Sequence, residues 1–195
     1  MKWIVLVSVL LALLLAGCMT QQPPTSEEVA QQEESPDNLP FETIAQESSE
    51  ESALWPDKDP DLVVLTTPDA IVDIEPYISK EVAVALQDID FNTSLVVAAF
   101  SGQQGHGAWQ FCITSVTRQT ADINLHTHLI DAVMVPPEMT SYYHLIRLSK
   151  SDLPSGEVTF NLALTRHEWT SPPLSHRVLK AFAEETVASV TRSLP

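Results

Sequence analysis

Glycine is scarce in this chain, at 5 of 195 residues, and cysteine scarcer still at 2. Two thiols cannot build the disulfide framework on which small exported domains rely when their cores are thin. Basic residues are few as well: 10 Lys and Arg stand against 26 Asp and Glu, for a formal charge of −16. Nucleic acid rewards basic patches, so this balance excludes it as a partner. No apolar stretch reaches the about 20 residues that a membrane-spanning helix needs. Neither a Gly-x-Ser-x-Gly elbow nor a Ser-x-x-Lys pair occurs, which removes two common frames for nucleophilic catalysis. The expectation is a protein that is not an enzyme and carries no cofactor.

What is present begins at the N-terminus. Lys2 precedes the uncharged stretch Trp3 to Leu15, and small residues and a cysteine follow in "LAGC". The apolar run has the length of a signal-peptide core. The "LAGC" ending resembles the lipobox of bacterial lipoproteins. That resemblance implies that residues 1–17 are a signal peptide and that Cys18 carries a covalent lipid as the mature N-terminus. The chain would then be held to the cell envelope through that lipid. Met19 is not the Asp that resembles an inner-membrane retention signal, so the expected location is the outer membrane, facing the periplasm, in a cell with two membranes.

The acidity is unevenly distributed. From Met19 to Asp61 there are 12 acidic residues and one Lys, no Gly, and many Gln, Ser and Pro; the rest, from Leu62, has 14 acidic and 8 basic residues. A stretch this polar reads as disordered, so residues 18–61 are expected to be an acidic tether. As a coil it would span roughly 35–40 Å.

Residues 62–195 are enough for one domain with its own core. Asp61 to Thr67 reads as a short strand. Ser79 to Ile89 places Val82, Leu86 and Ile89 at helical spacing behind a Ser cap. Five further strands are expected at Ser94 to Phe100, Ala108 to Val116, Asp122 to Asp131, Tyr142 to Ser149 and Glu157 to Arg166, separated by turn chemistry. In the tail, Leu179, Phe182, Thr186, Val190 and Leu194 share one helical face, which predicts an amphipathic C-terminal helix. The expected class is mainly β with α elements: an antiparallel sandwich or barrel-like sheet finished by that helix.

Three of the five glycines, Gly102, Gly105 and Gly107, fall within six residues, around His106 and just before Trp109. They precede a strand rather than a helix, and no Lys follows, so the loop is not a phosphate cradle. Glycine here serves a hairpin connection. Trp109 either starts the next strand facing the core or stands exposed as an anchor for a partner. His126 and His128, at i and i+2 on one strand, share a face and are weak metal candidates. Cys112 alternates with Phe111 and Ile113 in a strand pattern and reads as a buried thiol.

The run "DFNTSLVVAAFSGQQGHGAWQFCITSV", followed by "YYHLIRLSKSDL", resembles the C-terminal domain of PrcB, the accessory subunit of a secreted trypsin-like protease complex. The match covers Ile89 to Leu153 and rests on Asp90, Phe91, Val96, Val97, Gly102, Gly107, Tyr143, His144 and Lys150. Ala108 and Trp109 stand where that family has Gly and Tyr, and Tyr142 stands where Pro is usual. The resemblance implies a non-catalytic, β-rich module that binds or stabilises another protein. Gly102, Gly105, His106, Gly107 and Trp109, with Tyr143 and Trp169 as neighbours, are the expected contact surface. "GAW" and "RHEW" are distant echoes of chagasin-type protease inhibitors. Such an inhibitor, and a His-based metal or small-ligand carrier, are the alternatives.

Overall fold

The computed structural model describes residues 36–49, 53–104, 108–131, 139–169 and 179–195. Among the described residues, ten strands make two sheets curled into a half-barrel, with one α-helix beside them. The larger sheet has the order β1 (Asp37–Leu39), β5 (Ala108–Gln119), β6 (Asp122–Asp131), β8 (Gly156–Trp169), β10 (Glu185–Leu194), and β9 (Leu179–Ala181) also pairs with β8. The smaller sheet has the order β2 (Glu42–Ser48), β7 (Tyr142–Ser149), β4 (Ser94–Phe100), β3 (Asp61–Leu65). The mainly β class expected from the sequence is the one observed.

The smaller sheet is buried on both sides, which explains the unbroken apolar run of β4. Leu95, Val97 and Ala99 face the larger sheet, among Phe111, Ile113, Leu125, Phe160 and Leu162. Val96, Ala98 and Phe100 face the other way, into a second core with Ile71, Ile74, Val82 and Leu86. That second layer is α1 (Lys80–Gln87), preceded by two short 3-10 segments. Ser79 caps α1 as its spacing predicts, accepting a hydrogen bond from the Val82 N–H at 3.4 Å. A strand sandwiched between two layers has no solvent face and so needs no polar alternation.

Pairing is antiparallel except between β6 and β8, which run parallel. The chain leaves β6, crosses to the smaller sheet as β7, and returns as β8 in the same direction. β5 and β6 join through two residues, Thr120 and Ala121, with Thr120 at φ 55°.

The C-terminal helix is a correction. Residues 179–181 and 185–194 are strands that follow one another along the same edge of β8, broken at 182–184. Thr186, Val190 and Leu194 are four apart, a spacing that places residues on one face of a helix and equally of a strand. Ala188, Val190, Arg192 and Leu194 turn towards the interior while Ser189, Thr191 and Ser193 stay exposed, a period of two. The β-branched residues Thr186, Val187, Val190 and Thr191 fit that surface.

The acidic tether is corrected over its C-terminal part. Residues 37–39 and 42–48 are strands, and Trp55 is buried among Tyr77, Phe100 and the second core. The domain therefore starts well before residue 62. Composition misleads here because an edge strand needs few buried side chains: in β1 and β2 only Leu39 and Ala45 are fully covered. Exposed acidic residues along such edges also discourage pairing with other chains.

Candidate functional site

One end of the half-barrel gathers the strand ends Phe100, Ala108, Asp131, Tyr142 and Trp169. The connections 101–107, 132–141 and 170–178 start or finish there. The opposite end carries the tight Thr120–Ala121 link, the short 3-10 turn Lys150–Asp152, and the start and finish of the 66–93 connection, which packs over the smaller sheet as the helical layer.

The glycine-rich connection leaves β4 firmly held. The Ser101 N–H donates to Tyr142 O at 2.9 Å, and the Ser101 hydroxyl accepts from the Tyr142 N–H at 2.9 Å. Gln103 N–H donates to Asp57 O, and its side-chain amide donates to the carbonyls of Trp55 and Pro56. Gln104 and Thr140 exchange backbone hydrogen bonds at 2.7 and 3.1 Å. Gly102 has φ +71°, and a Cβ there would lie 2.4 Å from Lys58 O. That glycine is required by close backbone approach, not by ligand chemistry. Gly105, His106 and Gly107 lie outside the described residues, as does the side chain of Trp109, whose backbone begins β5.

Tyr143 is a correction. It is fully buried, its hydroxyl donating to Glu47 Oε2 at 2.6 Å and accepting from the Ser79 N–H at 3.1 Å. Burial, foremost, and the Glu47 carboxylate beside it push its phenol pKa up. A side chain held this way fastens α1 and β2 to the sheet and offers a partner no surface. Trp169 is half-buried at the end of β8, opposite Leu179.

His126, His128 and His167 occupy the outer face of the larger sheet. His126 and His128 share that face, as their spacing predicts. His126 Nδ1 meets Glu184 Oε1 and its Nε2 meets Thr117 Oγ1, each at 2.9 Å. His128 packs against His167 of β8, with ring centroids 4.7 Å apart. Burial, then the neighbouring His167, lower the pKa of His128. Cys112 lies directly across from His128, buried, with its thiol pKa raised by desolvation. Among the described residues no group of three or more His, Cys, Asp or Glu is placed to hold a metal ion. His167 and Glu184 were not legible as neighbours of the "HTH" pair. Only the parallel β6–β8 register and the break at 182–184 bring them there.

A second polar residue of the smaller sheet was also missed. His144 points between the two sheets and is 2% exposed. The Ile113 N–H of β5 donates to its Nδ1 at 2.8 Å, so its proton sits on Nε2 and is shared with Thr43 Oγ1 at 2.9 Å. At the far end, a hollow between Thr67, Gln87, Asp90 and Lys150 has its charged groups engaged. Lys150 Nζ donates to Phe91 O, and Asp90 accepts from Asn92 and Thr93 within its own turn.

Large apolar side chains that stay exposed include Met139, beside the Gln104–Thr140 bridge, and Phe182, with Lys180 Nζ 5.1 Å over its ring. No helix among the described residues is long and apolar enough to cross a membrane. Comparison of the chain with models of known protein families, with curated proteins and with solved structures finds no match.

Proposed function

We propose that this chain is an envelope lipoprotein, anchored through Cys18, whose domain binds another protein and performs no chemistry of its own. The observation that carries the reading is the asymmetry of the two ends. At one end the strand ends from which the connections 101–107, 132–141 and 170–178 start lie together on a two-sheet frame, next to exposed Met139 and close to Trp169, whereas the long 66–93 connection at the other end is packed as the helical layer over the smaller sheet. Loops held on a rigid scaffold are where recognition is commonly built. The polar groups buried elsewhere, on Tyr143 and His144, are engaged in fastening strands and helix together. The resemblance of Ile89 to Leu153 to the PrcB C-terminal domain points in the same direction, towards an accessory module for an exported protease or envelope complex. The lipid on Cys18 would place the domain at the membrane surface, at the outer membrane of a two-membrane cell.

A photo-crosslinking residue at exposed position 139, in the full-length protein in its native cells, is expected to capture the same protein reproducibly. The same residue at position 120, at the opposite end, is expected not to. Equal capture from both ends, or none from 139, removes the reading. Separately, the protein is expected to incorporate labelled palmitate in its native cells and Cys18→Ala is expected not to. Equal labelling of the two, or none of either, would refute lipidation at Cys18.

A further inference from the structure

Residues 37–48 run across the seam between the sheets. β1 closes one edge by pairing with β5, and after Pro40 and Phe41 the chain crosses over and β2 pairs with β7. The strap has little apolar hold: Leu39 and Ala45 are buried, while Phe41 and Ile44 are partly covered. Much of the rest is polar. Asp37 pairs with Arg118 at 2.7 Å, Glu42 pairs with Arg147, and Glu47 accepts from Tyr143. The two ion pairs are exposed and contribute little, which leaves the bond from buried Tyr143 as the firmer of the three. Segments with few buried contacts open before the rest of a fold.

Beneath the strap lies His144, one of the groups that join the sheets. It links β7 to the Ile113 N–H of β5 and to Thr43 of the strap, while Gln46 of the strap donates to Phe111 O on the same β5 edge at 3.1 Å. A second proton on His144 would occupy Nδ1 and break the bond from Ile113, and the closed strap leaves it no solvent. Around it, β4 carries no ionisable side chain, and β5 brings Cys112, whose partner on the opposite face is His128. β2 brings Glu42 and Glu47, engaged with Arg147 and Tyr143 on β7. None of these supplies a charge that would compensate an imidazolium.

We propose that residues 37–48 form an acid-released strap, which lifts from β5 and β7 as a unit when His144 is protonated, while the remaining strands stay folded. Burial alone lowers the His144 pKa from 6.5 to about 4. With the strap lifted, water reaches the ring and its ordinary affinity for protons returns. The open form then binds more protons at every pH between those values, so closure is full above pH 6.5 and weakens as pH falls towards 4. Between pH 7.5 and pH 5 the opening equilibrium should rise about 30-fold, and by pH 4 by more than 100-fold.

Hydrogen exchange on the full chain, expressed as protection factors corrected for intrinsic rates, tests this. At pH 5 the amides of residues 43–48 and of Ile113 are expected to lose about 30-fold protection relative to pH 7.5, with β6 and β8 unchanged. In His144→Asn, which keeps an acceptor near Nδ1 but does not titrate, the pH dependence at the strap should vanish. A disulfide from Glu42→Cys with Arg147→Cys, at opposed positions on β2 and β7, should also abolish it when oxidised and restore it on reduction. The proposal is overturned if strap protection is independent of pH or falls in step with β6 and β8. It is equally overturned if the loss persists in the oxidised double-cysteine variant.

Discussion

Trp55→Ala is expected to lower the unfolding free energy by about 3–5 kcal/mol, the range for emptying a large aromatic site in a core. The residue lies in a stretch whose composition reads as tether, and a residue of a solvated tether would cost nothing to replace. Here its ring stacks on Phe100 at 3.8 Å with planes 14° apart, and meets Tyr77 edge-on at 4.9 Å. It is 5% exposed. Its carbonyl and backbone N–H also hold Gln103 and Ser141, which brace the start of the glycine-rich connection. One term works in the other direction: the indole N–H is buried without a hydrogen-bond partner among the described residues. Trp55→Phe removes that orphan donor while keeping most of the ring, so its cost should be smaller, about 1–2 kcal/mol. Urea denaturation of the two variants beside the parent decides the matter. A midpoint unmoved by Trp55→Ala would mean that the domain does not include this segment.

The second large effect distinguishes two glycines that look alike in φ. Gly102→Ala should destabilise by about 2–5 kcal/mol, combining the left-handed penalty with overpacking against backbone. The new Cβ would stand 2.4 Å from Lys58 O and 2.6 Å from Asp59 C and O, atoms that no side-chain rotation can move aside. Gly156 has φ +92°, with nothing within 4 Å of a built Cβ. Gly156→Ala therefore carries only the conformational penalty, about 1–2 kcal/mol. The ordering of the two denaturation midpoints is the test. If Gly156→Ala proved the more damaging, close approach would not be the reason for Gly102.

Both predictions concern contacts between segments far apart in the chain, and this is where reading the sequence stopped. The glycine cluster was visible as a connection between β4 and β5. That Gly102 is needed because residues 58–59 cross it was not, since nothing local marks a crossing chain. Tyr143 and Trp169 are expected from the sequence as neighbours of the loop. Once the strands are paired, Tyr143 turns inward to Glu47 and Ser79. His144, one residue on, carries a linkage between the sheets, yet alternation along "YYHLIRLS" gives no hint that a histidine should be buried.

Local physics was enough for much of the molecule. Short apolar runs between turn residues placed β4, β6 and β7 at the bounds observed, and β3, β5 and β8 to within three residues of theirs. The capped Ser79 start gave α1, because a cap acts within one turn of its own residue. Cysteine scarcity and charge set the expectations of no disulfide scaffold and no nucleic-acid partner without reference to any fold. What required the assembled sheets was every assignment in which the local signal was weak or double. A four-residue spacing suits helix and strand alike, and the open edge of β8 made residues 185–194 a strand. An acidic segment with two buried apolar residues cannot order itself, and β5 and β7 order it by supplying hydrogen-bonding edges. The loop cluster at one end and the strap over His144 likewise arise from pairing between distant strands, a property of the register rather than of any stretch of sequence.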